Sequence, residues 1–199
     1  MLVEKVTLSG FGVRLEPLDE DSHFDRLADA IADGELWRIP VTTVPRPDEL
    51  GAFFADAAEA FEAGHELAFA TIDEESGRIA GSTRFRKIDV PNRRAEIGFT
   101  FLAASFQRTR VNTAAKLLMM RHAFEVWRVN RVEYLTDVLN EKSRNAIERI
   151  GARPEGVLRS HMVMRDGRIR DSAIYSVTAE EWPEVQTGLE TRLDSRTGN

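Results

Sequence analysis

The 199-residue sequence predicts a single α/β domain built on a mixed sheet. Three observations carry this. The elements alternate without a repeat or a linker that would divide the chain. Three strands with short turns follow one another in the middle. A strand, a polar loop rich in arginine and a long helix then occupy residues 94–127. A chain of this length can bury about 70% of the surface its unfolded form exposes.

In chain order, residues 6–17 alternate loosely around Gly10 and Gly12 and read as a strand pair or bent strand. Asp21 and Ser22 offer a helix cap, Phe24, Leu27, Ala28 and Ile31 follow at helical spacing, and Gly34 stops the helix. Residues 35–45 hold Trp37, Pro40 and Pro45 and read as a loop. Pro47 suits the first turn of a second helix with the stripe Leu50, Phe53, Phe54, Ala57 and Phe61, ending at Gly64. The period then changes to two. Strands at 67–72, 78–88 and 94–102 are separated by turns at 74–77 and 90–92, which makes an antiparallel meander.

The central helix is read over 114–127, with Leu117, Met120, Phe124 and Trp127 on one face. A strand follows at 131–138. Asn140 opens a further helix whose face holds Ser143, Ala146, Ile147 and Ile150 before Gly151. Strands at 157–165 and 168–177 flank Asp166-Gly167, a hairpin signal. Trp182-Pro183 opens a last amphipathic segment with Val185, Leu189 and Leu193 inward, and 194–199 is expected to fray. The crossover through the central helix should place the strands at 94–102 and 131–138 parallel.

Composition narrows the function. The hydrophobic fraction of 42% and charged fraction of 30% are those of an ordinary globular protein. A net charge of −6 argues against a general nucleic-acid-binding surface. With no cysteine, thiolate nucleophiles, disulfides and cysteine metal sites are excluded. His23, His65, His122 and His161 lack metal-ligand spacing, so no metal is expected. No signal peptide or membrane span is read, and the expected compartment is the cytoplasm.

The loop at 107–113 draws attention because a helix start presents unpaired N–H groups and a positive dipole end, a natural cradle for phosphate. The order of the elements and a series of local matches then resemble the GCN5-related N-acetyltransferase (GNAT) family, in its branch similar to the ribosomal-protein N-terminal acetyltransferases. The matches are Ala95-Glu96-Ile97-Gly98-Phe99, Phe106 to Thr113, Ala115-Lys116, Asn130 to Glu133, Thr136-Asp137, Asn140 to Arg144, Ile150-Gly151-Ala152 and Glu155 to Arg159. They cover residues 7–193 as one domain. The resemblance implies a mostly antiparallel mixed sheet with helices on both faces and a splayed parallel strand pair.

It also implies acetyl-CoA as co-substrate and a primary amine, on a small molecule or a protein N-terminus, as acceptor. Attack would be direct, in a ternary complex. A catalytically silent acyl-CoA-binding sensor of the same fold is the alternative. Gln107 matches the family's phosphate loop, while Arg110 and Asn112 stand where it has glycine. Gln107, Arg108, Thr109, Arg110, Val111, Asn112, Thr113 and Ala114 are the expected pyrophosphate cradle. Phe99, Thr100, Phe101 and Leu102 would line the pantetheine, and Asn140 and Ser143 would face its sulfur end. Lys116 joins Arg108 and Arg110 as a candidate cation for phosphate. Glu96 is the expected general base; the competing reading pairs it to Arg84, Arg86 or Arg94. Ser143 is the expected partner of the leaving thiolate, since the family's helix tyrosine falls at Ile147. Trp37 and Arg84 are expected at the acceptor. The last amphipathic segment leaves a homodimer open.

Overall fold

The computed structural model describes residues 3–197, so residues 198 and 199 of the expected tail lie outside the described residues. One eight-stranded sheet runs through it in the order β1-β2-β3-β4-β5-β6-β8-β7. The strands are β1 (Leu8–Gly10), β2 (Val13–Pro17), β3 (Leu67–Asp73), β4 (Ile79–Asp89), β5 (Arg94–Leu102), β6 (Arg131–Asp137), β7 (Arg153–Val163) and β8 (Ile169–Thr178). Every neighbouring pair is antiparallel except β5 and β6, which are parallel as the crossover requires. No helix among the described residues is long and apolar enough to cross a membrane.

Helices cover both faces. On one side lie α1 (Glu20–Ala32) and α2 (Leu50–Glu62). Leu27, Ile31, Leu50 and Phe54 pack there against Ala70, Ile72 and Phe101 of the sheet. On the other lie α3 (Val111–Arg121), α4 (Glu141–Arg149) and α5 (Trp182–Thr197). Leu117, Met120, Ile147, Leu189 and Leu193 pack there over Phe69, Phe85 and Val132.

Local chemistry moves several boundaries. The cap of α1 is Asp19, whose side chain accepts from the Ser22 N–H at 3.0 Å; the expected Asp21 lies inside the first turn. The α3 helix starts three residues earlier than expected. The Thr109 hydroxyl accepts from the Val111 N–H at 3.3 Å, which gives one of the free amides at that start a partner. Its C-terminal end widens into a π segment, His122–Val126. The β7 strand begins at Arg153 because it is the sheet edge, where Pro154 needs no N–H for a ladder. The last helix continues through Thr197 where fraying was expected from residue 194.

Candidate active site

The parallel pairing of β5 and β6 is short. Arg94, Ala95 and Glu96 face Arg131, Val132 and Glu133, and the ladder stops there. The cause is a bulge in β5. Ser82 pairs with Phe101 and Arg84 with Gly98, so Thr83 of β4 stands against both Phe99 and Thr100. Phe99 takes φ +46°, an unusual value for a bulky residue, at a cost of about 1–3 kcal/mol. Two guanidinium groups hold its ring: Arg86 lies 4.0 Å and Arg84 5.1 Å from the centroid. Cation–π contacts of this kind contribute about 0.5–2 kcal/mol each and offset the strain.

Beyond the bulge the strands part, and a cleft of about 890 Å³ opens between them. Gln107, Arg108 and Asn112 line it at the start of α3. Thr100, Phe101 and Leu102 form one wall; Tyr134, Leu135 and Thr136 form the other. Asn140, Ser143 and Ile147 close it from α4. Glu96, Arg86, Lys87, His161 and Arg170 form its far end.

Glu96 is 2% exposed. Its Oε1 accepts from Arg86 at 3.3 Å. Lys87 lies 2.9 Å from Oε2 as an ion pair. That contact lacks hydrogen-bond geometry, and Oε2 is buried with its hydrogen-bonding capacity unmet. Arg94, an expected competitor, instead pairs with Asp89 and Glu133.

The phosphate loop needs no glycine at either departing position. Arg110 has an ordinary right-handed φ of −69°, and Asn112 lies inside α3; the left-handed residue is Arg108, at φ +63°. The Arg110 guanidinium does not face the cleft. It binds Asp73 at 2.9 Å and Glu75 at 3.3 Å and donates to the Phe11 and Gly12 carbonyls, tying the loop to the β1–β2 turn. Thr109 accepts from the Val111 N–H, and Val111, Thr113 and Ala114 are buried, so only their backbone can serve an anion. Gln107 donates to the Leu102 carbonyl at 3.1 Å and braces the loop.

Two expected acceptor residues sit elsewhere. Arg84 is buried behind the bulge, donating to Glu66 at 3.1 Å and to the Phe53 carbonyl at 3.2 Å. Trp37 packs into the α1–α2 core, while its neighbours Leu36 and Ile39 reach the cleft. Asn140 caps α4 by accepting from the Ser143 N–H at 3.0 Å, and its amide nitrogen reaches the Val41 carbonyl at 3.5 Å.

Two residues matter more than their sequence context suggests. Lys116 is 5% exposed and lines the cleft floor. Its ammonium donates to Thr100 Oγ1 at 2.6 Å and Thr83 Oγ1 at 3.0 Å. Burial pulls its pKa down to about 7. A lone cation inside the run Ala114 to Met120 was the available signal. Tyr134 is 1% exposed, and its hydroxyl has no partner in the same cleft. Burial raises its pKa, which keeps it a protonated donor. Nothing in β6 distinguishes it from a packing residue by sequence.

Splayed parallel strands, a helix start at one end and a buried carboxylate at the other define an acyl-transfer fold. The family model of the acetyltransferase (GNAT) domain matches residues 13–153, and the chain belongs to that family. It is 37% identical over 106 residues to YdaF of Bacillus subtilis (strain 168), named as a candidate ribosomal N-acetyltransferase; the match spans 53% of this chain and 57% of that relative. A GCN5-related N-acetyltransferase from Brucella melitensis superposes with a TM-score of 0.86 at 33% identity, covering 96% of this chain and 86% of that one. A candidate acetyltransferase from T. thermophilus gives 0.83 at 34% identity, covering 97% and 100%.

Proposed function

We propose that the chain transfers an acetyl group from acetyl-CoA to a primary amine by direct attack within a ternary complex, with Glu96 as general base. The observation that carries this is the buried Glu96 carboxylate, placed where the β5–β6 ladder ends, whose Oε2 accepts no hydrogen bond and faces the Lys87 ammonium at 2.9 Å. The relatives' names favour a protein N-terminus as the acceptor over a small-molecule amine.

The cleft fits the co-substrate on two features of the chain. Thr100 is exposed between strands that no longer pair, and the Tyr134 hydroxyl is buried without a partner. Acetyl-CoA would supply an activated acyl group on a thioester. The amides at the start of α3, with Arg108, would hold its pyrophosphate. The wall from Phe99 to Leu102 offers backbone groups freed by the splay, and an N–H there can polarise the acyl oxygen. Ser143 and Tyr134 are the donors we assign to the sulfur. Asn140 keeps α4 in place through its cap.

An ammonium group cannot attack, so a proton must leave the acceptor first. Glu96 accepts it at Oε2. Glu96→Gln leaves the shape and removes the base. Thiol release should fall by about 100-fold or more at neutral pH, and the deficit should shrink as pH rises and free amine becomes abundant. A pH profile parallel to that of the unmodified protein would rule out the role.

A further inference from the structure

Resting on the acetyltransfer reading, we infer that the acceptor carries a carboxylate close to its primary amine, and that Arg170 receives it. The chain as a whole is acidic, at −6. The acceptor end of the cleft reverses this locally, with Arg86, Lys87 and Arg170 around the single carboxylate Glu96.

These cations differ in what already occupies them. Arg86 divides itself between Glu66 at 3.0 Å and Glu96 at 3.3 Å. Lys87 faces Glu96 at 2.9 Å. Arg170 is 8% exposed, and among the described residues no carboxylate lies within ion-pair distance of it. The nearby acid on its own side, Asp137, is bound to Arg168 at 2.5 Å. Among the described residues the Arg170 side chain makes one hydrogen bond, from Nε to Ser172 Oγ at 2.9 Å. That bond fixes the plane of the guanidinium and leaves its terminal nitrogens for the cleft.

A buried, unpaired cation is costly, and it is ordinarily retained opposite an anion. A guanidinium with its terminal nitrogens open matches a carboxylate in a two-point contact. Ser172 adds direction. Its hydroxyl oxygen accepts from Arg170 and lies 2.9 Å from His161 Nδ1, so the three side chains form one chain of polar contacts. His161 lines the same end of the cleft. Glu96 and Arg170 line the same end of one cleft. Glu96 suits the amine and Arg170 suits an acid a few bonds away. Two sources carry that chemistry: an acidic side chain beside a protein N-terminus, or the carboxylate of a free amino acid.

The test measures thiol release by the full chain with acetyl-CoA and matched acceptor pairs. One pair is a peptide with Glu or Gln at its second position; the other is alanine or alaninamide. The acid member of at least one pair should have a kcat/KM higher by roughly tenfold or more. The pair that responds identifies the source. Arg170→Gln should bring that ratio close to one, and Arg170→Lys should keep part of it. Ratios within about twofold of one for both pairs, or a preference that survives Arg170→Gln, would overturn the inference. Calorimetric titration of the CoA-loaded protein with the dipeptides Ala-Glu and Ala-Gln, and with alanine and alaninamide, reads recognition without chemistry. Absence of turnover with every acceptor would sink the acetyltransfer reading, whereas equal affinity within both the Ala-Glu/Ala-Gln and the alanine/alaninamide pairs would sink this one.

Discussion

Lys116 is a charge placed against its own solvation. Its ammonium has two threonine hydroxyls for company and no carboxylate. Its pKa in the folded protein is about 7, below the ordinary lysine value of 10.5. Between those values the unfolded chain binds the proton and the folded chain does not, so stability rises with pH across that window. Below about pH 7 both states are protonated and the full cost of the buried charge is felt. Chemical denaturation at pH 7 and at pH 10 should give a higher midpoint at the higher pH. Lys116→Met should flatten this dependence and raise the midpoint at pH 7. A midpoint that falls with pH in the unmodified protein, or an unchanged slope in the variant, would contradict the assignment.

The contact between β4 and β5 sets the site. The bulge at Phe99 ends the parallel ladder, and Gly81 allows the strands to approach on the other side of it. A Cβ at Gly81 would lie 2.0 Å from the Phe101 carbonyl oxygen, which is backbone and cannot step aside. Gly81→Ala must therefore push β5 away from β4 just where the cleft wall forms. The expected loss is about 3 kcal/mol of stability, with a larger fractional loss of turnover than a surface change of equal size. Gly77→Ala, in the preceding turn at φ +68° with open space around it, is the comparison for backbone strain alone. If both variants cost the same and leave turnover alike, close approach at Gly81 is not what shapes the wall.

Across the whole molecule, the cleft lies where the sheet opens between two separate cores. One core is built on α1 and α2, the other on α3, α4 and α5. A ligand bridging β5 and β6 completes a ladder that the protein alone leaves unfinished, so binding should stabilise the fold. At 100 times its dissociation constant, CoA should add about 2.7 kcal/mol, a melting shift on the order of 5 °C or more for a domain of this size. No shift and no heat of binding with CoA or acetyl-CoA would remove the basis of the site.

The sequence by itself determined the order of the elements and the parallel pair. Those follow from local signals: the switch of hydrophobic period, the glycines after α1 and α2, and a polar loop before a helix. The central strands were read within a residue or two because β3, β4 and β5 pair with near neighbours in sequence. Asn140 was legible as a cap for the same reason, since a cap satisfies amides three residues away. Only the tertiary structure decided which charges face the cleft. Arg110 and Arg84 looked available and are tied to Asp73 and Glu66, partners 37 and 18 residues away. Arg170 and Tyr134 looked ordinary; Tyr134 is buried with its hydroxyl unpartnered, and Arg170 lines the cleft with only Ser172 bonded to its side chain among the described residues. Whether a side chain is spent or free depends on partners brought from distant strands, and sheet pairing, not local propensity, fixes where those partners stand.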